Sequence, residues 1–405
     1  MKKTFFRPYK FAFAALASLA ISCSEELPEE QVDPISPNIQ SGYAVDEEFL
    51  VDEEMAYQIA QYLNLKDAYN IEEPVQEELP IDKFFPVPSD GPASYYVANY
   101  AKGGFAIISA DKRNVPILAY SNEHNLAIGE VPGGMVNQFS EYHEYTLHLR
   151  DSLDYIPEEI QEMWYGYTDK EAYEKLRKSG KNQRYYSYTK GPYLATDWGQ
   201  GCTYNGLLGS CSSGGSCKRL WTGCVATATA QIMGYHRKPS SLAWSTMPSS
   251  SVGNDGITDL DRLMRGIGIN ISMQYGCSGS GAWPKDAAKA LRNNYGYESA
   301  NFKTSFSWQE YRGELQSGFP VMISGYSGKK EDCFLFWCST SYTGGHAWVG
   351  EGYRYRQYSS GNEYRFAYMN WGWDGSSNGW YYIYGLGDNW DGYKYKREMV
   401  TDIRP

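Results

Sequence analysis

Histidine is scarce in this chain: five occur in 405 residues, and beyond residue 190 only His236 and His346 remain. No Cys-x-x-Cys pair is present either. A structural zinc site needs four nitrogen or sulfur ligands, so neither a metal nor another cofactor is expected. Basic charge is also short, with 37 Lys and Arg against 48 Asp and Glu and a net charge of -11. Tracking a phosphate backbone needs clustered cations, so no nucleic-acid partner is expected. The apolar run from Phe11 to Ile21 is about half the ~20 residues that a membrane-spanning helix requires.

What is present begins with an export segment. Lys2, Lys3, Arg7 and Lys10 stand ahead of that apolar run, and the small residues Ala20 and Ser22 follow it, which is the pattern of a cleaved signal over residues 1–22. Cys23 stands where a bacterial lipoprotein signal carries its lipidated cysteine, with Ala20 in place of the customary leucine. The expected location is the cell surface or outer membrane, attached only through a lipid on Cys23, with release once a front segment is cut away. Ser24-Glu25-Glu26 resembles an acidic surface-export tag. Setting Cys23 and one working thiol aside leaves Cys202, Cys211, Cys217, Cys277, Cys333 and Cys338, an even number suited to disulfides outside the cytoplasm. Spacing alone leaves their pairing open.

Composition then divides the chain. Residues 23–45 form an acidic tether. Ala56, Ile59, Ala60 and Leu63 repeat at helical intervals within Asp46 to Leu63, and extended runs follow at Tyr95 to Asn99, Gly104 to Ser109 and Ile117 to Tyr120. These predict a helix and a small antiparallel sheet, followed by a charged, helix-prone stretch from Val136 to Leu176. A boundary falls near residue 185. Beyond it Gly, Trp, Tyr and Cys dominate, with strand-like runs at Val321 to Gly325, Ala347 to Tyr355, Tyr364 to Trp371 and Trp380 to Tyr384. The 37 Tyr and 12 Trp suit half-buried pleated surfaces, with glycan binding the weaker reading. One helix stands out, running from Cys224 to Tyr235, with Thr222 as candidate N-cap and Arg237-Lys238-Pro239 as a stop.

A cysteine at a helix N-terminus has its thiolate favoured by unpaired N–H groups and the macrodipole, and Cys224 has that position. The alternative is a small buried apolar residue. A nucleophile needs a base within hydrogen-bond reach. His236, twelve residues along the same helix, would lie roughly 18 Å away and is excluded; it is expected to complement the helix dipole beside Arg237 instead. His346, after Gly344-Gly345, is therefore the candidate base. Asn370 is the first candidate to orient it and Asp374 the second, within Asn370-Trp371-Gly372-Trp373-Asp374-Gly375. For the oxyanion, Gln200 is preferred, with the Cys224 N–H as second donor; Gln231 lies about 10 Å along the helix and ranks lower.

These residues resemble the streptopain-type cysteine peptidases, a bacterial branch with a papain-like fold. Thr222-Gly223-Cys224-Val225-Ala226-Thr227 resembles that family's nucleophile motif, Gly344-Gly345-His346-Ala347 its histidine motif, Asn370-Trp371-Gly372-Trp373 its orienting segment, and Gly199-Gln200 its oxyanion glutamine. Tyr275 to Ala282 looks like its substrate-side loop, and the resemblance makes Ser280, Gly281, Gly345 and Trp371 substrate-binding candidates. Gly104 to Asp111 and Pro116 to Tyr120 are similar to the family's inhibitory propeptide. The resemblance thus implies an α+β chain: a propeptide over 46–185 and a papain-like peptidase domain over 186–405, the nucleophile helix packed on an antiparallel sheet. It further implies proteolytic activation, protein or peptide substrates, the chain's own propeptide as inhibitor, and a preference for a hydrophobic residue just before the residue at the cut. The extra cysteines depart from the family pattern and either narrow substrate choice or staple loops.

Two other classes of function compete. One is a catalytically silent surface lipoprotein that uses its cleft or aromatic face for binding. The other is an amidase or transpeptidase using the same Cys–His chemistry on a different amide or acceptor.

Overall fold

The structure is a computed structural model that describes residues 46–66, 68, 78–128, 133–180, 185–212, 217–249, 258–334, 337–384 and 397–405. The export segment, the tether and Cys23 lie outside the described residues.

The front half opens with α1 (Glu53–Gln61), capped by the Asp52 carboxylate, which accepts from the Met55 N–H; Ala56, Ile59 and Ala60 are its buried stripe. Four antiparallel strands follow, β1 (Ile81–Val87), β2 (Tyr95–Tyr100), β3 (Phe105–Ser109) and β4 (Ile117–Ser121). The last three coincide with the apolar runs, and every residue in them is buried, so they read as continuous hydrophobic segments rather than alternating ones. The charged stretch divides into α2 (Gly133–Ser152), α3 (Glu158–Thr168) and α4 (Lys170–Lys178).

Past the boundary come β5 (Tyr185–Lys190), α5 (Cys224–His236), α6 (Asp259–Asn270), α7 (Pro284–Asn294), β6 (Ser299–Lys303) and α8 (Trp308–Gln316). A strand-rich end follows: β7 (Val321–Phe334), β8 (Trp337–Tyr358), β9 (Glu363–Asn370), β10 (Gly379–Ile383) and β11 (Glu398–Arg404).

The small antiparallel sheet expected in the front half is present and continues into the strands of the second half. Strand order is β1-β2-β3-β4-β10-β9-β8-β7-β11-β6, with β5 paired to β8. The junction is the antiparallel pair β4–β10, Tyr120 opposite Trp380 and Ala119 opposite Tyr381. Each half satisfies the other's open edge, whose N–H and C=O groups would otherwise need water.

Two cores lie on the two faces of the second-half strands. Met322, Ala347, Val349 and Val400 pack with Cys224, Val225 and the inner faces of α6 and α7. Ile323, Trp348 and Met399, one residue along, pack with β2 to β4 and α2 of the front half. Helix α5 has its first ten residues buried, which is why its apolar residues run all round instead of forming a stripe.

Candidate active site

The start of α5 is set by glycine. Gly223, not Thr222, is the N-cap, with φ 89°. A Cβ there would lie 2.6 Å from Met273 Cε and 3.0 Å from the Ser280 carbonyl oxygen, so only glycine lets the 275–282 loop close against this turn. Thr222 is buried instead of capping: its N–H donates to the Gln200 carbonyl at 3.1 Å and its hydroxyl to the same oxygen at 3.3 Å. Gln200 is thereby tied to the turn that presents Cys224.

Cys224 is 1% exposed and opens the helix. Its sulfur is disulfide-bonded in this structure, so a free thiolate requires its reduction.

His346 is also buried, and its ring stacks at 12° on Trp348 and at 26° on Trp371, with Trp373 edge-on. Nε2 lies 2.8 Å from the Trp371 carbonyl oxygen. A carbonyl can only accept, so Nε2 carries the proton and Nδ1 is the basic nitrogen of the neutral ring. Burial pushes the imidazole down to about 4 against the pull of that carbonyl. Among the described residues the ring's bond goes to Trp371, and none joins it to Cys224. By strand alternation His346 falls with Trp348 on the face of β8 turned toward the front half, while Ala347 and Val349 face α5. His346 and Cys224 are therefore not in hydrogen-bond contact in this structure.

Asn370, expected to orient His346, makes no bond to the ring; the contact at Nε2 comes from the backbone carbonyl of its neighbour Trp371. The Asn370 amide is spent elsewhere: Oδ1 accepts from Gln231 Nε2 at 3.0 Å and from Gly372 N–H at 3.3 Å, while Nδ2 donates to Thr196 O at 2.9 Å and to Glu351 Oε1 at 3.3 Å. Asp374 does not reach the ring either; it accepts from the Tyr204 hydroxyl at 2.5 Å and packs against Gly199. Gln231 is fully buried, its Oε1 taken by Trp198 N–H at 3.2 Å and Thr196 Oγ1 at 3.3 Å. It is a brace between α5 and β9. His236, expected to complement the helix dipole, is instead held neutral: burial and then Arg404 push it down to about 4, and Nδ1 sits 3.2 Å from the Tyr297 hydroxyl.

Of the substrate-side candidates, Ser280 points inward. Its hydroxyl donates to the Trp221 carbonyl at 2.7 Å and accepts from Gly276 N–H at 3.1 Å. Gly281 pairs with Gln274 through two backbone bonds of 2.8 and 3.0 Å. Gly345 stands opposite Tyr326 on β8, one residue from the base. Trp371 is buried, 4.9 Å from the Trp348 ring. The cysteine-rich insert is stapled to this loop, since Cys211 pairs with Cys277 while Cys202 pairs with Cys217. Cys333 stands opposite Cys338 in the β7–β8 register.

One residue of the site region escaped the sequence reading. Glu351 is 2% exposed on β8 and accepts from Tyr193 N–H at 2.9 Å and Leu194 N–H at 2.5 Å. Burial pushes its carboxyl up to about 8, against those two donors and Asn370. The signal was an acid in the strand run, flanked from Ala347 to Tyr353 by apolar, aromatic and glycine residues alone.

Comparison with known proteins agrees with this layout. The model of the peptidase C10 family matches residues 198–243 and 240–381, and that of the Spi protease inhibitor matches residues 48–146. Streptopain of Streptococcus pyogenes is 26% identical over 369 residues, 77% of this chain and 81% of its own. The thiol protease/hemagglutinin PrtT of Porphyromonas gingivalis is 24% identical over 356 residues; the match spans 77% of this chain but only 37% of PrtT. The solved structure of a Prevotella intermedia prointerpain A fragment superposes with TM-score 0.50 at 24% identity, covering 80% of this chain and 99% of that one, and carries the papain-like α+β fold with its propeptide. The second half of the chain is therefore similar to the peptidase C10 family of cysteine endopeptidases, and the front half to the Spi protease inhibitor.

Proposed function

We propose that this protein is an exported cysteine endopeptidase made as a zymogen, anchored through Cys23 and activated by cleavage near residue 185. Its domains are then a signal over 1–22, a tether over 23–45, an inhibitory propeptide over 46–185 and the peptidase over 186–405. Once reduced, Cys224 attacks a peptide carbonyl as thiolate; His346 Nδ1 takes the thiol proton and returns it to the leaving amine, and water then releases the acyl-enzyme. The Cys224 N–H and Gln200 receive the oxyanion. Asn370 supports the segment that carries the Trp371 carbonyl. Ser280, Gly281, Gly345 and Trp371 border the substrate.

The observation that carries the zymogen reading is the continuous sheet. The front half occupies the β10 edge and packs against the face of β8 on which His346 lies. Its departure frees that face, and the β8 segment that carries His346 then turns over to bring the ring to the Cys224 side. The boundary falls between α4, which ends at Lys178, and β5, which begins at Tyr185 and pairs with β8 of the peptidase.

The test compares residues 24–405 with their Cys224→Ala form under mild reducing conditions, following mass and N-terminal sequence. The wild type is expected to lose its front half near residue 185 and to cleave a protein substrate, while Cys224→Ala stays intact and folded. Residual hydrolysis by the alanine form would remove Cys224 from its role.

A further inference from the structure

The strand that leaves on activation is seated on a built site. β4 lies along β10, whose other edge is taken by β9. Loss of the front half leaves β10 as an open edge with unpaired N–H and C=O groups. Beside that edge is a side-chain pocket. The Tyr120 ring meets Phe366 at 6.2 Å, and its hydroxyl accepts from the Arg354 guanidinium. Arg354 lies 5.1 Å over the Trp380 ring and donates to Thr189 Oγ1 at 3.0 Å. Thr189, Arg354, Phe366 and Trp380 all lie beyond the proposed cut and stay with the peptidase. The close approach of β4 depends on Gly379, where a Cβ would lie 2.6 Å from the Tyr120 carbonyl oxygen.

The bound segment also has a direction. Past Ser121 it continues along the loop that joins β9 to β10. The Asn125 carbonyl accepts from Ser377 N–H at 2.9 Å, Ala127 N–H donates to Ser377 Oγ at 2.9 Å, and the His124 ring occupies the space beside Gly375 that a Cβ would fill. Two residues from Gly375, the Trp373 ring stands 6.4 Å from that of His346. A chain laid on β10 in this direction is led toward the catalytic histidine by its C-terminal side.

We infer that in the processed enzyme the β10 edge and the Arg354–Phe366–Trp380 pocket form an exosite for an extended segment of a protein substrate. The pocket takes a tyrosine, and the scissile bond lies C-terminal to it. This rests on the reading above, in which the front half is removed from an active peptidase. A substrate strand is favoured over a second copy because the edge runs directly into the catalytic loop.

The test uses enzyme processed from the full chain and one cleavable peptide sequence in three forms: alone, with the segment Ile117 to Ser121 about ten residues upstream, and with that segment the same distance downstream. The upstream form is expected to have a KM lower by about tenfold at unchanged kcat, with no gain downstream. Replacing the tyrosine of the segment by alanine should abolish the gain, and so should Arg354→Gln in the enzyme, which should cleave the bare peptide as before. If the Arg354→Gln precursor does not fold, the tyrosine-to-alanine comparison carries the test by itself. Equal KM values for the three forms would overturn the exosite, as would a processed enzyme that sediments as a dimer and shows no upstream gain. Failure to cleave even the bare peptide would instead overturn the peptidase reading, and this inference with it.

Discussion

The Asn370 amide is a polar group close in sequence to Trp371, whose carbonyl holds the His346 ring, yet it makes no bond to that ring. Three of its four bonds join α5 through Gln231, the chain ahead of α5 through Thr196, and β8 through Glu351. Asn370→Ala leaves the Gln231 amide and Glu351 without that partner, each at a cost of about 1–3 kcal/mol. The thermal midpoint of the precursor and the turnover of the processed enzyme should both fall. The acid limb of the pH–rate profile should stay in place, because the imidazole proton is held by the Trp371 carbonyl. A displaced acid limb at unchanged stability would return the orienting role to Asn370. His236→Ala is expected to leave turnover nearly unchanged; a large loss of turnover in a folded variant would overturn the geometric exclusion of His236 as base.

At the scale of elements, the start of α5 depends on a turn that tolerates no side chain. Gly223→Ala forces an L-residue into φ 89° and drives its methyl into Met273 and the Ser280 carbonyl. Such backbone strain costs on the order of 1–3 kcal/mol. Both the denaturation midpoint and the rate of reaction of reduced Cys224 with a thiol reagent should change. Unaltered values would mean that the 275–282 loop does not hold the turn. Elements also differ in how plainly they could be read. β2, β3 and β4 announce themselves as apolar runs between Gly and Asp turns. β6, Ser299–Lys303, is short and partly polar, and it becomes a strand only because β11 supplies its partner.

For the molecule as a whole, two kinds of buried group set an opposed pH dependence. His143, His236 and His346 are each pushed down to about 4, by burial before any other cause. The unfolded chain takes up those protons first as pH falls below about 6.5, so stability is lost from there toward 4. Glu351 acts in the other direction. Its carboxyl is raised to about 8, so its contribution is present below the unfolded value near 4.5 and lost as pH rises through 8. Between pH 6.5 and 8 only the second effect operates among these groups. Precursor stability should fall there by roughly 2 kcal/mol, and Glu351→Gln should flatten the fall. A wild-type thermal midpoint that is level from pH 6.5 to 8 would sink this assignment.

The sequence by itself determined the class of chemistry, a cysteine peptidase, and supplied the candidates for it in order along the chain. A lone cysteine at a pre-helical glycine, one eligible histidine after Gly-Gly and an aromatic segment after it leave few other readings, because nucleophile, base and orienting segment need particular residue types at separations a helix and a sheet allow. Spacing rules also argue against His236 as the base, since a helix has a fixed rise. Only the tertiary structure decided which atom holds the imidazole, because Trp371 contributes a backbone carbonyl, and every residue has one. Nor could the chain reveal that Glu351 is buried near Asn370, or that β4 pairs with β10. Burial and strand pairing between segments some 260 residues apart depend on which surfaces meet in space, and local pattern carries no record of that.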